Sequence, residues 1–344
     1  MHKETKDFLD FVDQRLTLPS IDLDAWKYYL KILPSVYNSD ISFRLLFDWH
    51  WQERSGLGRA WIRFPHPNIN VQQPIFAKQL DLILAIGESL YGIQYQVREL
   101  ILFHARVDLR GKHLLEVGGV LPNELLFDHL GVVGYINIES PDYIDAADGH
   151  VYSEKYKPDD RKRTIFCNAE EILIHLEPDS IDSIFSVACF EHIIELSAAL
   201  EACHKCLKKG GTLYSYFAPI YSHIEQGDHD VIPLHSAFPE KPLGFHLLSQ
   251  KDQRRKLLKA GLTDPSEVQD FLGNVNFNRI PNRLMYEDYE RILTESSFYV
   301  LEFDRQENLN LSKLYAKQVM EIRKSNPWIQ NLLAIGFRIH LLKG

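Results

Sequence analysis

The chain of 344 residues can bury one large core or two smaller ones, and 45% hydrophobic with 25% charged residues is an ordinary globular balance. Its net charge of −9 argues against a nucleic-acid partner, which needs a basic face, and the short runs KCLKK and KDQRRKLLK read as solvated helix faces. No apolar run is long enough for a membrane partner, the polar opening MHKETKDFLDFVDQRL does not read as a targeting peptide, and four scattered cysteines (Cys167, Cys189, Cys203, Cys206) form no disulfide framework, so a cytoplasmic setting is expected.

Residues 1–92 read as helical and irregular, without strand–helix alternation. The segment FDWHWQERSGLGRAWIRFPHPNINVQQP is dense in Trp, Gly and Pro and reads as an ordered loop. Its Trp49, Trp51 and Trp61 suit packing, or stacking on an aromatic ligand. From about residue 93 the pattern changes. QYQVRELILFHARV has helical spacing, HLLEVG reads as a buried strand, PNELLFDHLG as a helix and VVGYINIE as a second strand. RTIFCNA, strand SIDSIFSVA, helix ELSAALEACHKCLKKGG and strand TLYSYFAP follow. A long irregular insertion is expected over 219–283, ending near a helix in RLMYEDYERILTESS. The chain closes with strand FYVLEFDRQ, helix LSKLYAKQVMEIRKS and strand NLLAIGFRIHLLK.

Strands alternating with helices predict an α/β fold, a Rossmann-like doubly wound sheet, mostly parallel, with an antiparallel C-terminal edge strand. The expected organisation is an N-terminal helical, loop-rich region over 1–92, serving as a cap or a homodimer contact, and a second domain over 93–344 that carries the 219–283 insertion. In the helix of CHKC, Leu196, Leu200, Cys203 and Leu207 share a face, so Cys203 reads as core and Cys206 as incidental. Zinc would need a second pair of ligands.

The turn after the first strand runs Glu116-Val117-Gly118-Gly119-Val120-Leu121-Pro122-Asn123. Glycines in a dinucleotide turn let the backbone approach a pyrophosphate at a helix N-terminus. Here Val120 would crowd a pyrophosphate. A ligand without phosphates, laying a ribose and an amino-acid tail over the turn, needs less room. Pro122 suits a first helical position, where its missing N–H costs nothing. Glu139 follows Gly118 by 21 residues, at the end of the second strand. A carboxylate there can accept hydrogen bonds from both ribose hydroxyls.

Four segments in this order resemble the class I S-adenosylmethionine-dependent methyltransferases. LLEVGG is similar to their first motif, and NIES to the acidic end of their second strand. FCNAEEI resembles the adenine-holding segment, with Asn168-Ala169 where Asp-Ala is usual. DSIDSIFSVACFEHIIELSAALEACHKCLKKGGTLYSY is similar to the fourth strand, its helix, the L-K-x-G-G turn and the fifth strand. The likeness covers residues 94–220, and the glycines missing at Val120 and Pro122 count against a nicotinamide dehydrogenase.

The resemblance implies S-adenosyl-L-methionine as cofactor and S-adenosyl-L-homocysteine as product. It implies that Glu116 orients the turn and the methionine amino group, and that Gly118 and Gly119 admit the cofactor. Glu139 would bind the ribose, and Asn168 and Ala169 the adenine. Val187, Ala188 and Cys189 would line the floor beneath the methyl donor.

VACFEH is not the Asn/Asp-Pro-Pro-Tyr motif of nucleic-acid amino methylases, and no Asp…Asp-Asn set like that of the catechol methylases stands at these strand ends. The expected acceptor is a small-molecule metabolite, methylated on a hydroxyl or amine. FEH also occurs in cyclopropane-forming lipid methylases, which keeps carbon methylation of a lipid as one alternative. A methyltransferase-like scaffold without activity is another. GDHD and GFHLLS resemble segments after the fifth strand of some small-molecule methyltransferases, and a histidine there could take a proton from a hydroxyl. Of His223, His229, His235 and His246, the order of preference is His229, His246, His223; each also reads as an ordinary loop histidine. Their irregular spacing, with only Asp228 and Asp230 near, predicts no metal site.

Overall fold

The computed structural model describes residues 3–15, 22–54, 82–91, 94–141, 159–224, 244–277, 282–307 and 316–344. Among the described residues seven strands form one sheet in the order β3-β2-β1-β4-β5-β7-β6. They are β1 (His113–Val117), β2 (Gly134–Glu139), β3 (Lys162–Phe166), β4 (Ile181–Val187), β5 (Leu207–Phe217), β6 (Tyr299–Glu307) and β7 (Ala334–Leu342). The first five are mutually parallel, and β7 runs antiparallel to both β5 and β6. The sheet is therefore doubly wound and mostly parallel, with the antiparallel strand at the C-terminus. That strand sits one place in from the edge. β7 is apolar and buried along nearly all its length, whereas β6 alternates charged residues and is largely exposed. A charged strand is the one that tolerates an open edge.

The chain order reverses between β1 and β4, which pair with each other. In an open α/β sheet the ligand crevice lies outside the carboxyl ends of the strands at such a switch point. Gly118 follows β1 there and Ala188 follows β4.

One face of the sheet is covered by helices α1 (Lys3–Arg15), α2 (Leu23–Ser39), α3 (Ile41–Arg54), α4 (82–91) and α5 (Gln94–Val107). Phe103 of α5 stacks on Phe185 of β4 and Tyr214 of β5, and one continuous apolar core runs from Phe8 to Tyr214. Two buried polar links hold this layer. His104 of α5 accepts from the Leu109 N–H at Nδ1 (3.1 Å), so its Nε2 donates to the Leu30 carbonyl of α2 (2.9 Å). Arg338 of β7 donates to Glu99 of α5 (3.1 Å) and to the Tyr214 hydroxyl (2.9 Å). Burial alone would raise the Glu99 carboxyl, but Arg338 and Arg98 outweigh it and hold it down at about 2.

The other face packs on α6 (Leu196–Cys206) and α9 (Tyr286–Glu295) through Leu115, Ile184, Leu200, Tyr289 and Phe337. Here the structure corrects the expected helix boundary. α6 ends at Cys206 and β5 begins at Leu207, four residues before the Gly210-Gly211 pair is passed. Lys208 reaches back to Asp182 of β4 (2.7 Å) and so serves the strand, while Lys205 stays on α6 and pairs with Glu201 (3.2 Å). Cys206 is as buried as Cys203. The 219–283 insertion is not irregular throughout. It contains α7 (Gln250–Lys259) and α8 (Pro265–Phe277), which with α10 (Ala316–Ser325) share a third core around Phe245, Leu257, Phe271 and Ile322. The polar sequence of α7 hid it, since only Gln253 and Leu257 of that helix are buried.

Candidate functional site

The turn after β1 holds its shape because it needs glycine twice. Gly118 has φ 73° and Gly119 φ 96°, both left-handed. A Cβ on Gly118 would lie 2.6 Å from Cys189 Sγ, so the end of β4 packs directly against the turn. The Gly118 N–H donates to the Ile138 carbonyl (2.9 Å), and the Gly119 N–H to Glu139 Oε2 (3.1 Å). Glu139 Oε1 accepts from the Ser140 N–H (3.2 Å). Glu139 is half-buried at the end of β2. The helix expected after the turn is short: a π-helical segment, Glu124–His129, packed by Leu125 and Leu126 under the N-terminal layer.

Beneath the turn Glu116 is wholly buried. The Tyr135 hydroxyl donates to its Oε2 and itself accepts from the Leu121 N–H (3.0 Å). Oε1 has no hydrogen-bond partner among the described residues, and it lies 3.2 Å from where a Gly119 Cβ would be. Burial pushes the Glu116 carboxyl up from 4.5 to about 8. A buried oxygen left open on the ligand side of a glycine turn is a place for a donor from outside the protein.

Asn168 is exposed at the end of β3, starting the 3₁₀ turn Ala169–Ile174, and its N–H donates to Glu171 Oε2 (3.2 Å). Ala169 is buried below it. Val187 ends β4, buried, and Ala188 takes φ 52° while its N–H donates to the Tyr216 carbonyl (2.9 Å). A left-handed alanine costs about 1 kcal/mol, and such strain gathers where a strand end must present backbone to a ligand. The eight residues expected to hold a cofactor thus all stand at the carboxyl ends of β1 to β4.

The structure adds neighbours that the sequence did not single out. Tyr135 fixes Glu116, Asn137 donates to the Gly119 carbonyl (3.3 Å), and Gln96 of α5 lies 3.6 Å from the position of a Gly119 Cβ. Glu191, just past β4, is buried with one carboxyl oxygen lacking a partner among the described residues, and burial pushes it to about 8. Of these, Glu191 stood in a motif already singled out, the FEH that kept carbon methylation open.

Of the expected histidines, His223 is buried after β5 and burial depresses it to about 4. His246 is buried in the 3₁₀ turn Phe245–Leu247, with Nε2 2.9 Å from the Tyr221 carbonyl. His229 and His235 lie outside the described residues, as does Trp61. Among the described residues no group of three or more His, Cys, Asp or Glu could hold a metal ion, and no helix is long and apolar enough to cross a membrane.

A methyltransferase-domain family matches residues 137–215, the stretch from β2 through most of β5. Joined to the strand order and to the glycine turn at the switch point, this decides the fold. The chain has the class I S-adenosylmethionine-dependent methyltransferase fold. No curated protein matches the chain. Solved methyltransferase-fold structures similar to it include three distant ones. A Mesorhizobium loti S-adenosylmethionine-dependent methyltransferase is 10% identical over 68% of this chain and 92% of its own, with a TM-score of 0.38. A Haemonchus contortus phosphoethanolamine N-methyltransferase is 14% identical over 82% and 61%, with a TM-score of 0.40. A Streptomyces coelicolor geranyl diphosphate C-methyltransferase is 11% identical over 85% and 88%, with a TM-score of 0.39. At such distances the likeness says nothing about the acceptor of this methyltransferase fold.

Proposed function

We propose that the protein is an S-adenosylmethionine-dependent methyltransferase acting on a hydroxyl, or an amine, of a small-molecule acceptor. The observation that carries the reading is the open, buried Oε1 of Glu116 beneath two left-handed glycines. It is a cradle that a Cβ would fill and that an amino group would complete. When bound, S-adenosylmethionine supplies a methyl group already activated on a sulfonium.

The chain's own residues then do the positioning. Glu116 accepts from the amino group, and an ammonium beside it would draw the carboxyl back to its charged form. Gly118 and Gly119 admit the amino-acid tail. Glu139 turns its free lone pairs to the ribose, and Asn168 and Ala169 take the adenine. Val187 and Ala188 form the floor. In-line holding of acceptor and sulfonium, with water excluded, supplies much of the acceleration.

A hydroxyl acceptor must also lose a proton. His223 and His246 are both packed in the protein interior, and His223 is a weak base at about 4. His229 is therefore the base we assign, with His246 second and His223 third. Residues 1–92 we assign to covering the acceptor or to a contact with a second copy. The test is calorimetry with S-adenosylhomocysteine. Binding that Glu139→Ala weakens supports the reading; no binding by the intact protein overturns it in favour of a scaffold.

A further inference from the structure

We propose that Asn282 is a positioning residue that locks the turn after β4, and through it the floor of the cofactor crevice, to the insertion. The proposal rests on the methyltransferase reading above. Its basis is a set of hydrogen bonds that uses every polar atom of one side chain. Asn282 Nδ2 donates to the Phe190 carbonyl (2.8 Å) and to the Ile193 carbonyl (2.9 Å). Its Oδ1 accepts from the Tyr289 hydroxyl of α9 (3.0 Å) and from the Leu284 N–H (3.1 Å). Its backbone N–H donates to the Glu191 carbonyl (2.8 Å). Three of the four residues from Phe190 to Ile193 thus give their carbonyls to this one asparagine.

The turn so gripped reaches the glycines in two steps. The His192 N–H donates to the Cys189 carbonyl (2.8 Å), and Cys189 Sγ lies 2.6 Å from where a Gly118 Cβ would stand. On the other side, the neighbouring Arg283 donates to the Val275 carbonyl at the end of α8 (3.0 Å). Arg283 holds φ 61°, left-handed for a non-glycine residue, so the segment is kept bent against its preference. The contacts run from α8 through Asn282 and the turn to Cys189 and Gly118. The floor and the insertion therefore move as a unit. The turn also carries Glu191, whose buried carboxyl lies beside the Ala218 N–H at the end of β5.

Asparagine is needed because the turn offers two carbonyls and the helix side offers two donors. A carboxylate in its place would face the Phe190 and Ile193 carbonyls with oxygen. The titratable groups that face this position are the Tyr289 hydroxyl, which donates to Asn282, and the Glu191 and Asp288 carboxyls, whose charge reaches that hydroxyl.

The experiment is S-adenosylhomocysteine affinity by calorimetry, from pH 5.5 to 8, for wild type, Asn282→Ala and Asn282→Asp, with hydrogen exchange followed over residues 188–193. Asn282→Ala should bind about ten-fold more weakly, the equivalent of one hydrogen bond's net worth, and exchange faster over the turn. Asn282→Asp should show a defect relative to wild type that shrinks as pH falls and its carboxyl regains a proton to donate. A purely structural role would show that pH trend in urea melts and leave the affinity of the folded variant unchanged. Asn331→Ala, which loses its bonds to Glu307 and to the Leu333 and Ala334 N–H groups away from this turn, is the control for general destabilisation and should bind as wild type does. If Asn282→Ala does not fold, Tyr289→Phe, which removes only the hydroxyl at Oδ1, should still weaken binding two- to three-fold. Unaltered affinity and exchange in the variants overturn the proposal while wild-type binding keeps the methyltransferase reading. Absence of wild-type binding removes that reading, and the proposal falls with it.

Discussion

Replacing Glu116 by Gln tests the site's electrostatics most directly. In the folded protein the carboxyl is raised from 4.5 to about 8 by burial, which the Tyr135 hydrogen bond and the charge of Lys162 offset only in part. An acid whose folded pKa is raised holds its proton more tightly folded than unfolded. Its stability contribution is fully present below 4.5 and is lost as pH rises through 8. The interval corresponds to roughly 5 kcal/mol, at most about 1.4 kcal/mol per pH unit. Glu191, raised in the same direction, contributes a second loss over the same window. Urea unfolding from pH 6.5 to 8, above the range in which the depressed histidines take up protons, should therefore show wild-type stability falling with pH. Glu116→Gln should retain only the share due to Glu191. Equal slopes in the two proteins would refute the argument, because Glu116 would then ionise in the fold as it does in water. Binding offers a second readout. If an ammonium sits beside Glu116, uptake of S-adenosylhomocysteine by wild type near pH 7 should release a proton, visible as a dependence of the heat on buffer, and the Gln variant should release none.

Glu139→Ala should weaken S-adenosylhomocysteine binding by roughly 1.5–3 kcal/mol, the range for a hydrogen bond to a charged group; unchanged calorimetric affinity would assign the ribose to another acid. Gly118→Ala should destabilise the fold by roughly 2–4 kcal/mol, from the left-handed backbone and the Cys189 contact together. A Cys189→Gly background should recover part of that in urea melts. On the acid side, His104 is depressed to about 4 by burial, so the stability it protects is complete above 6.5 and is lost as pH falls toward 4. His104→Gln should flatten that limb by up to roughly 3 kcal/mol, and an unchanged limb would exclude His104 as its source. His229→Ala should lower kcat by about 10²–10⁴ if His229 is the base for a hydroxyl acceptor; full activity with a flat pH profile would point to an amine instead.

The sequence by itself determined what rests on local pattern. The apolar runs of β1 and β4 marked them as buried strands of a parallel sheet, whereas the switch point between them rests on a pairing that the structure supplies. Gly118 and Gly119, breaking a strand just after an acid, marked the crevice because no other residue takes left-handed backbone so cheaply. Glu139 was legible from its distance along the chain. What depended on partners far apart in sequence was decided only by tertiary structure. The inner place of β7 follows from pairing on both edges, which its residues alone do not state. The end of α6 at Cys206 reflects Lys208 reaching Asp182, a contact 26 residues back. Asn282 looked like any loop asparagine until folding brought the carbonyls of Phe190 and Ile193, some 90 residues earlier, within reach of its amide. Glu116 showed its position in the sequence but not its state. An oxygen becomes an open buried acceptor only when the surrounding chain has excluded water and left it without a donor.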